Sequence, residues 1–284
     1  MAIESVQIPK KTIDVEGILH KKNPKLERLV PGFLVRYLKK IIHQDEVNAM
    51  INGASEKYGL DFVDAIMKEY NITLDVAGTE NVPVSGKVIV ASNHPLGGID
   101  GIGLMQALGR IRRDILFPVN DILLFLENLK PLFIPINKHG SNAENIRLFN
   151  ETFASDSLIC YFPFGLVSRR INGKIEDLEW KKTFITKARS SKRDIIPTHI
   201  SGRNSNFFYN LSSFRKKIGI KANLEMLYLS DEFFKQKGST MRITFGKPIP
   251  WQTFDKRFTD AGWAEKLRKY AYELGLNENA EFKI

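Results

Sequence analysis

The apolar residues of this chain change period along its length, and the changes mark out its elements. Between residues 31 and 42, Phe33, Leu34, Tyr37, Leu38, Ile41 and Ile42 recur at helical spacing with Arg36, Lys39 and Lys40 between them, which predicts a basic amphipathic helix. A second helical pattern runs through Val47, Met50, Ile51, Phe62, Val63, Ile66 and Met67, broken around Tyr58-Gly59. From Ile72 the period shortens. ITLDV (72–76) alternates like an exposed strand, whereas VIVA (88–91) is the unbroken run of a strand buried on both faces. Signals then alternate: a helix at 102–109, a strand at 115–119, a short helix at 122–127, and a strand in PLFIPIN (131–137) whose two prolines suit a sheet margin. A helix over 142–153, a buried strand in SLICYFPFG, a helix from near Leu178 and a strand in DIIPTHI follow. LEMLYLS and MRITFGKPI are expected to be the last strands, and a helical tail runs from Trp251 to Gly275. The pattern predicts an α/β fold with a mixed, largely parallel central sheet flanked by helices and an N-terminal helical extension. The expected division is an arm and helical cap over 1–72, whose basic helix is a candidate either for membrane-surface contact or for packing on the core, an α/β domain over 73–250 and a packed helical tail over 251–284.

Composition narrows the class without naming a chemistry. With 43% hydrophobic and 26% charged residues among 284, the chain has the content of a soluble globular protein. Its one cysteine, Cys160, lies in the apolar run LICYFPF and reads as a small buried hydrophobe. MAIESVQIPKK lacks the apolar core of a secretory signal, and the longest apolar stretch, ILLFLENLKPLFIPI, is interrupted by Glu127, Lys130 and Pro131. A net charge of +10 selects anionic partners but does not choose among nucleic acid, an anionic membrane and an acidic carrier protein. No zinc finger, Walker loop, Rossmann fingerprint or Gly-x-Ser-x-Gly elbow is present.

The chemistry concentrates in VIVASNHPLGGIDGIG (88–103). Asn93, Pro95, Gly97 and Gly98 cannot prolong the strand, so His94 is placed at its carboxyl end, where open α/β sheets hold their ligands. His94 and Asp100 are six residues apart and would point about 120° apart on one continuous helix. The Pro-Leu-Gly-Gly break lets the chain fold back, so that Asp100 can hold one imidazole nitrogen and leave the other as a general base. The plainer reading makes Asp100 a helix cap and His94 a packed side chain.

Three further stretches separate these readings. NHPLGGID resembles the first motif of the glycerolipid acyltransferase family, the glycerol-phosphate and lysophosphatidate acyltransferases. PLFIPIN, FPFGLVSR followed by WKKTFITKA, and IIPTHI occur in that family's order across roughly residues 75 to 250. The sequence departs from the pattern in three places. Five residues rather than four separate His94 from Asp100, Asn137 and Lys138 stand where the family has an arginine, and Phe164 replaces a glutamate. With GRNS at 202–205, the chain looks most like a divergent bacterial branch of hemolysin-like or aminolipid O-acyltransferases.

The resemblance implies transfer of a fatty acyl chain from a thioester to a hydroxyl of a lyso-lipid, either an amino-acid lipid or lysophosphatidate. His94 and Asp100 would be catalytic, and Asn93, Gly97, Gly98, Asn137, Lys138, Gly165, Ser168, Arg169 and Arg203 would bind substrate. Main-chain N–H groups of the Gly97-Gly98 turn or of the following helix start are the candidates for stabilising the oxyanion. No bound cofactor or metal is expected; acyl carrier protein or coenzyme A would bring the acyl group. The implied setting is cytoplasmic, peripheral on the inner face of an anionic membrane. Three rivals remain at this level: an inactive lipid-binding protein of the same fold, a basic nucleic-acid-binding protein using FFYNLSSFRKK (207–217), and a hydrolase in which water replaces the lipid hydroxyl; no nucleic acid is expected under the acyltransferase reading.

Overall fold

A computed structural model describes residues 13–22, 30–135 and 143–284. Among the described residues four helices lead in: α1 (Val15–Lys22), α2 (Gly32–Ile41), α3 (Gln44–Gly53) and α4 (Leu60–Glu69). The first strand, β1 (Thr73–Ala77), is followed by β2 (Val88–Ser92), α5 (Gly98–Gly109), β3 (Ile115–Val119), β4 (Phe133–Pro135), α6 (Ala143–Ala154) and β5 (Leu158–Tyr161). The hairpin β6 (Arg169–Ile171) and β7 (Lys174–Glu176) precedes α7 (Thr183–Ser191), β8 (Asp194–Ile200), α8 (Asn206–Lys217), α9 (Leu229–Phe234), β9 (Thr240–Phe245) and α10 (Asp260–Leu276).

Among the described residues seven strands form one sheet in the order β1-β9-β8-β2-β5-β3-β4. Strands β8, β2, β5, β3 and β4 are mutually parallel, while β9 runs antiparallel to β8 and carries β1 parallel to itself. From β2 the chain crosses through α5 to β3 and β4, then returns to β5 and later to β8, so β2 acquires both its neighbours late. The carboxyl end of β2 therefore opens between the exits of β5 and β8, at the kind of reversal where such sheets form crevices.

Burial on both faces explains the unbroken apolar run of β2. Val88 and Val90 pack with Phe62, Val63 and Ile66 of α4 and Leu104 and Leu108 of α5. Ile89 and Ala91 pack on the other face with Trp180, Phe184 of α7, and Trp263 and Leu267 of α10. Alternate side chains of one strand thus tie together two helical layers.

The structure differs from the sequence reading in local places. LEMLYLS is not a strand: Leu224–Tyr228 is a 3-10 turn running into α9, with Glu225 completely buried as an ion-pair partner rather than alternating outward. The tail begins as a 3-10 turn at Trp251–Thr253 and becomes helical only at Asp260, where the Thr259 side chain accepts from the Gly262 N–H and caps it. The helix near Leu178 starts at Thr183. The β6–β7 hairpin turns at Asn172 and Gly173, both at positive φ, the Asn-Gly signature of a two-residue turn.

Candidate active site

Beyond Ser92 the backbone leaves the sheet, and Asn93 fastens its departure. The Asn93 carboxamide donates to the Ile200 carbonyl at 2.9 Å and accepts from the Ile200 N–H at 2.7 Å, substituting for a strand residue beside the end of β8. At Gly97, φ is 93° and ψ −130°, a conformation that side chains disfavour, and a Cβ there would lie 3.1 Å from Leu229. The reversal starts α5 and brings Asp100 back beneath His94.

Asp100 is fully buried, and its Oδ2 lies 3.0 Å from His94 Nδ1. The same oxygen accepts the N–H groups of Leu96 at 2.7 Å and Gly97 at 3.0 Å, so the carboxylate is fixed by its own loop. The His94 N–H is out of line with Oδ2, and both His94 Nδ1 and Asp100 Oδ1 are buried without a hydrogen bond. The imidazole stacks on Phe162 at 4.2 Å between centroids, with planes 24° apart, which limits its motion to a swing within the stack. A carboxylate at Nδ1 favours the tautomer with its proton there and leaves Nε2 as the basic nitrogen.

A second carboxylate holds the His94 main chain. Asp177 accepts the His94 N–H at 3.3 Å and the Ser168 hydroxyl at 2.6 Å, while the Ser168 N–H donates to the His94 carbonyl at 2.8 Å. The other Asp177 oxygen accepts Trp180 Nε1 at 2.9 Å, and the Asp177 N–H donates to the Tyr272 hydroxyl at 2.7 Å. Burial raises the Asp177 pKa, with the Ser168 and Trp180 bonds and the His94 charge opposing that shift. Burial also raises Tyr272. Neither Asp177 nor Phe162 stood out in the sequence. The Asn-Gly turn two residues beyond Arg170 was the available signal for a hairpin that returns the chain to the site at Asp177.

The other sequence candidates separate by where their polar atoms go. Arg169 points inward, 3.0 Å from Glu225, which also binds Arg215, and its guanidinium lies 5.5 Å from the Phe208 ring centre. Burial lowers the Arg169 pKa, opposed chiefly by Glu225. Ser168 is engaged by Asp177, and the Gly97 N–H by Asp100 rather than facing an oxyanion. Gly98, Gly165 and Arg203 are exposed, and Arg203 donates to Asn206 at the start of α8. Phe164 is buried on the face of the sheet that packs Trp180. Asn137 and Lys138 lie outside the described residues. Trp180 is a core residue, and Cys160 is buried with its thiol pKa pushed well up by desolvation.

A histidine at a strand exit, backed by a buried carboxylate in an α/β sheet, is an arrangement compatible with general-base chemistry. The family can be stated directly. The family model described as "Acyltransferase" matches residues 17–278, and the chain belongs to that family. It is 50% identical over 264 residues to the lyso-glycine lipid O-acyltransferase of Bacteroides thetaiotaomicron, covering 92% of this chain and 97% of the relative. It is 48% identical over 264 residues to the protein of the same name from Phocaeicola vulgatus, covering 92% and 95%. Among solved structures, the 1-acyl-sn-glycerophosphate acyltransferase of Thermotoga maritima aligns over 88% of this chain and 91% of its own, at a TM-score of 0.49 and 16% identity. The chain is an acyltransferase, and as such requires an acyl donor and an acceptor.

Proposed function

We propose that this enzyme moves a fatty acyl group from a thioester to the free hydroxyl of a lyso-glycine lipid or a closely similar mono-acylated amino-acid lipid. The observation that carries the chemistry is the 3.0 Å approach of His94 Nδ1 to the buried Asp100 at the exit of β2; the acceptor is taken from the relatives at 50% and 48% identity. His94 Nε2 removes the hydroxyl proton as the oxygen forms its bond to the thioester carbonyl carbon. The collapsing tetrahedral intermediate breaks the carbon–sulfur bond, and the imidazolium returns the proton to the departing thiolate. Asp100 orients the ring and stabilises its charged form. Asp177 and Ser168 hold the histidine's main chain, and exposed Gly98 and Arg203 stand at the rim to meet substrate. Residues 73–250 carry this chemistry.

The donor is acyl carrier protein or coenzyme A, whose negative charge suits a protein of net +10. The acceptor is met at the inner face of an anionic membrane, where the enzyme sits peripherally; among the described residues no helix is long and apolar enough to cross one. Purified enzyme supplied with each thioester should form the diacyl glycine lipid from lyso-glycine lipid and little phosphatidate from lysophosphatidate, read by mass spectrometry. The His94→Ala variant should lose about 10²- to 10⁴-fold in kcat, the usual contribution of a positioned base. Equal rates for wild type and variant would refute the assigned chemistry, and product from lysophosphatidate alone would refute the acceptor.

A further inference from the structure

One helix of this protein is apolar on two sides, and only one of them is packed. The inward side of α8 carries Phe208, Tyr209, Ser212 and Arg215. Phe207, Phe214 and Ile218, at positions i, i+7 and i+11, fall within about 40° of one another on a different side. They are exposed, Phe214 to 60% and Ile218, at the helix's end, to 52%. A helix that is apolar beyond its core-facing stripe has something further to cover.

The stripe continues onto a helix remote in sequence. Phe207 packs edge-on against Tyr228 at 4.9 Å, and the Tyr228 hydroxyl is hydrogen-bonded to that of Tyr37 on α2. Beside Tyr37, Phe33 and Leu34 are exposed, Phe33 to 67%. Two amphipathic faces more than 160 residues apart in sequence therefore form one surface. Its edge is basic: Arg36 and Lys40 flank the stripe on α2, and Lys216, Lys217 and Lys221 are exposed at the far end of α8. Near its other end lies the site, because Asn206 accepts from Arg203 and Arg170, and the Tyr209 hydroxyl accepts the Asn204 N–H at 3.1 Å.

We propose that the joined α2–α8 face is the surface on which the enzyme lies against an anionic bilayer, with α8 as well as α2 seated among the headgroups. This rests on the lipid-acylating reading and names the face that brings the site to the lipid. Aromatic and aliphatic side chains edged by lysine and arginine suit an interface that is apolar at depth and anionic at its surface. A second copy of the chain would bring like charges together at the same edge. An acidic carrier protein would use the basic edge but leave the aromatic stripe in water.

The test compares wild type with Phe207→Ser/Phe214→Ser/Ile218→Ser and with Lys216→Gln/Lys217→Gln/Lys221→Gln, each checked for folding by circular dichroism. Binding to phosphatidylglycerol–phosphatidylcholine vesicles and to pure phosphatidylcholine vesicles is read by sedimentation. The apolar triple variant should bind anionic vesicles about 100-fold more weakly, as loss of three inserted side chains implies. The lysine variant should lose the preference for anionic over neutral vesicles. Both should turn over detergent-dispersed acceptor like wild type and vesicle-borne acceptor more slowly. Wild-type vesicle binding by both variants would overturn the proposal. So would a wild-type dimer, seen by light scattering, that the apolar substitutions separate without changing vesicle binding, or an effect confined to the KM for an acidic carrier thioester. Absence of acyl transfer from wild type would instead count against the catalytic reading, while the sedimentation arm would still decide the face.

Discussion

The two ends of the central sheet handle buried polar groups differently. At the amino ends of the parallel strands, Arg193 is wholly buried and donates to the carbonyls of Phe153 at 3.0 Å, Ser157 at 2.6 Å, Thr152 at 3.1 Å, Val88 at 3.4 Å and Ser155. Burial lowers its pKa to about 10, so it stays charged at neutral pH. Nearby, Arg112 grips Asp114 through two bonds of 2.7 and 2.6 Å and reaches the carbonyls of Pro83, Gly86 and Asp156. At the carboxyl ends, His94 Nδ1, Asp100 Oδ1 and both polar side-chain atoms of Asn204 are buried without hydrogen-bond partners among the described residues. One end uses its polar groups to close loops. The other also closes loops, through Asn93 and Asp177, but keeps these further polar atoms without partners among the described residues.

Breaking the satisfied end should therefore damage stability and leave chemistry alone. Arg193→Met removes the donor that joins the last turn of α6, the approach to β5 and the start of β2, and leaves several carbonyls unpaired. The expected loss is about 4 kcal/mol of unfolding free energy. Urea unfolding should show a lower midpoint, while the folded fraction transfers acyl groups at the wild-type rate. A stable Arg193→Met protein with lost activity would break the comparison.

The same division governs what the sequence made legible. The sheet and the fold-back at 94–100 were readable because they rest on local signals: an apolar run, a Pro-Leu-Gly-Gly break, and an acid at the new helix's start. Leu224–Tyr228 misled because its apolar residues alternate like a strand while Glu225, the polar one, is the residue most deeply buried, paired to Arg169 and Arg215. No local pattern announces a buried charge whose partners lie 10 and 56 residues away. The direction of Arg169 was hidden for the same reason, since it is set by Glu225 and Phe208. Asp177, lying 83 residues from the histidine it holds, was hidden by distance in sequence rather than by weak chemistry.

A titratable side chain near the carboxyl ends is not thereby part of the site, and His199 sharpens the distinction. It lies in β8 with its ring against α10, 5.8 Å from the Tyr272 ring, where a Cβ on Gly275 would collide with it. Burial lowers its pKa to about 4, from an ordinary value near 6.5. The unfolded chain therefore takes up a proton near pH 6.5 that the folded protein refuses until about pH 4. Stability is full above pH 6.5 and falls as the pH drops through that window, by up to roughly 3 kcal/mol. Replacing His199 by Gln should flatten the dependence of the urea midpoint on pH between 6.5 and 4 and leave the pH profile of kcat unchanged. A shifted kcat profile would bring His199 into the chemistry.

The smallest change concerns Asn204, whose carboxamide is buried with both polar atoms unpaired. Its main-chain N–H donates to the Tyr209 hydroxyl, and that hydroxyl is close enough to feel the Asp100 charge, which helps raise its pKa after the larger effect of burial. Asn204 follows the end of β8, the strand whose Ile200 is bonded to Asn93 next to His94. If the carboxamide were only structural, its burial would be a net cost, because an unsatisfied amide loses hydration and gains nothing in return. Asn204→Leu, near in size and apolar, should leave the urea midpoint unchanged or raise stability by about 1 kcal/mol. It should also lower kcat about tenfold, the scale of one lost hydrogen bond of roughly 1.4 kcal/mol in a site. A stabilised variant with lost turnover places Asn204 with the unsatisfied, working end of the sheet. A destabilised variant with wild-type kcat would place it with Arg193 and Arg112 instead, as scaffolding that happens to lie at the other rim.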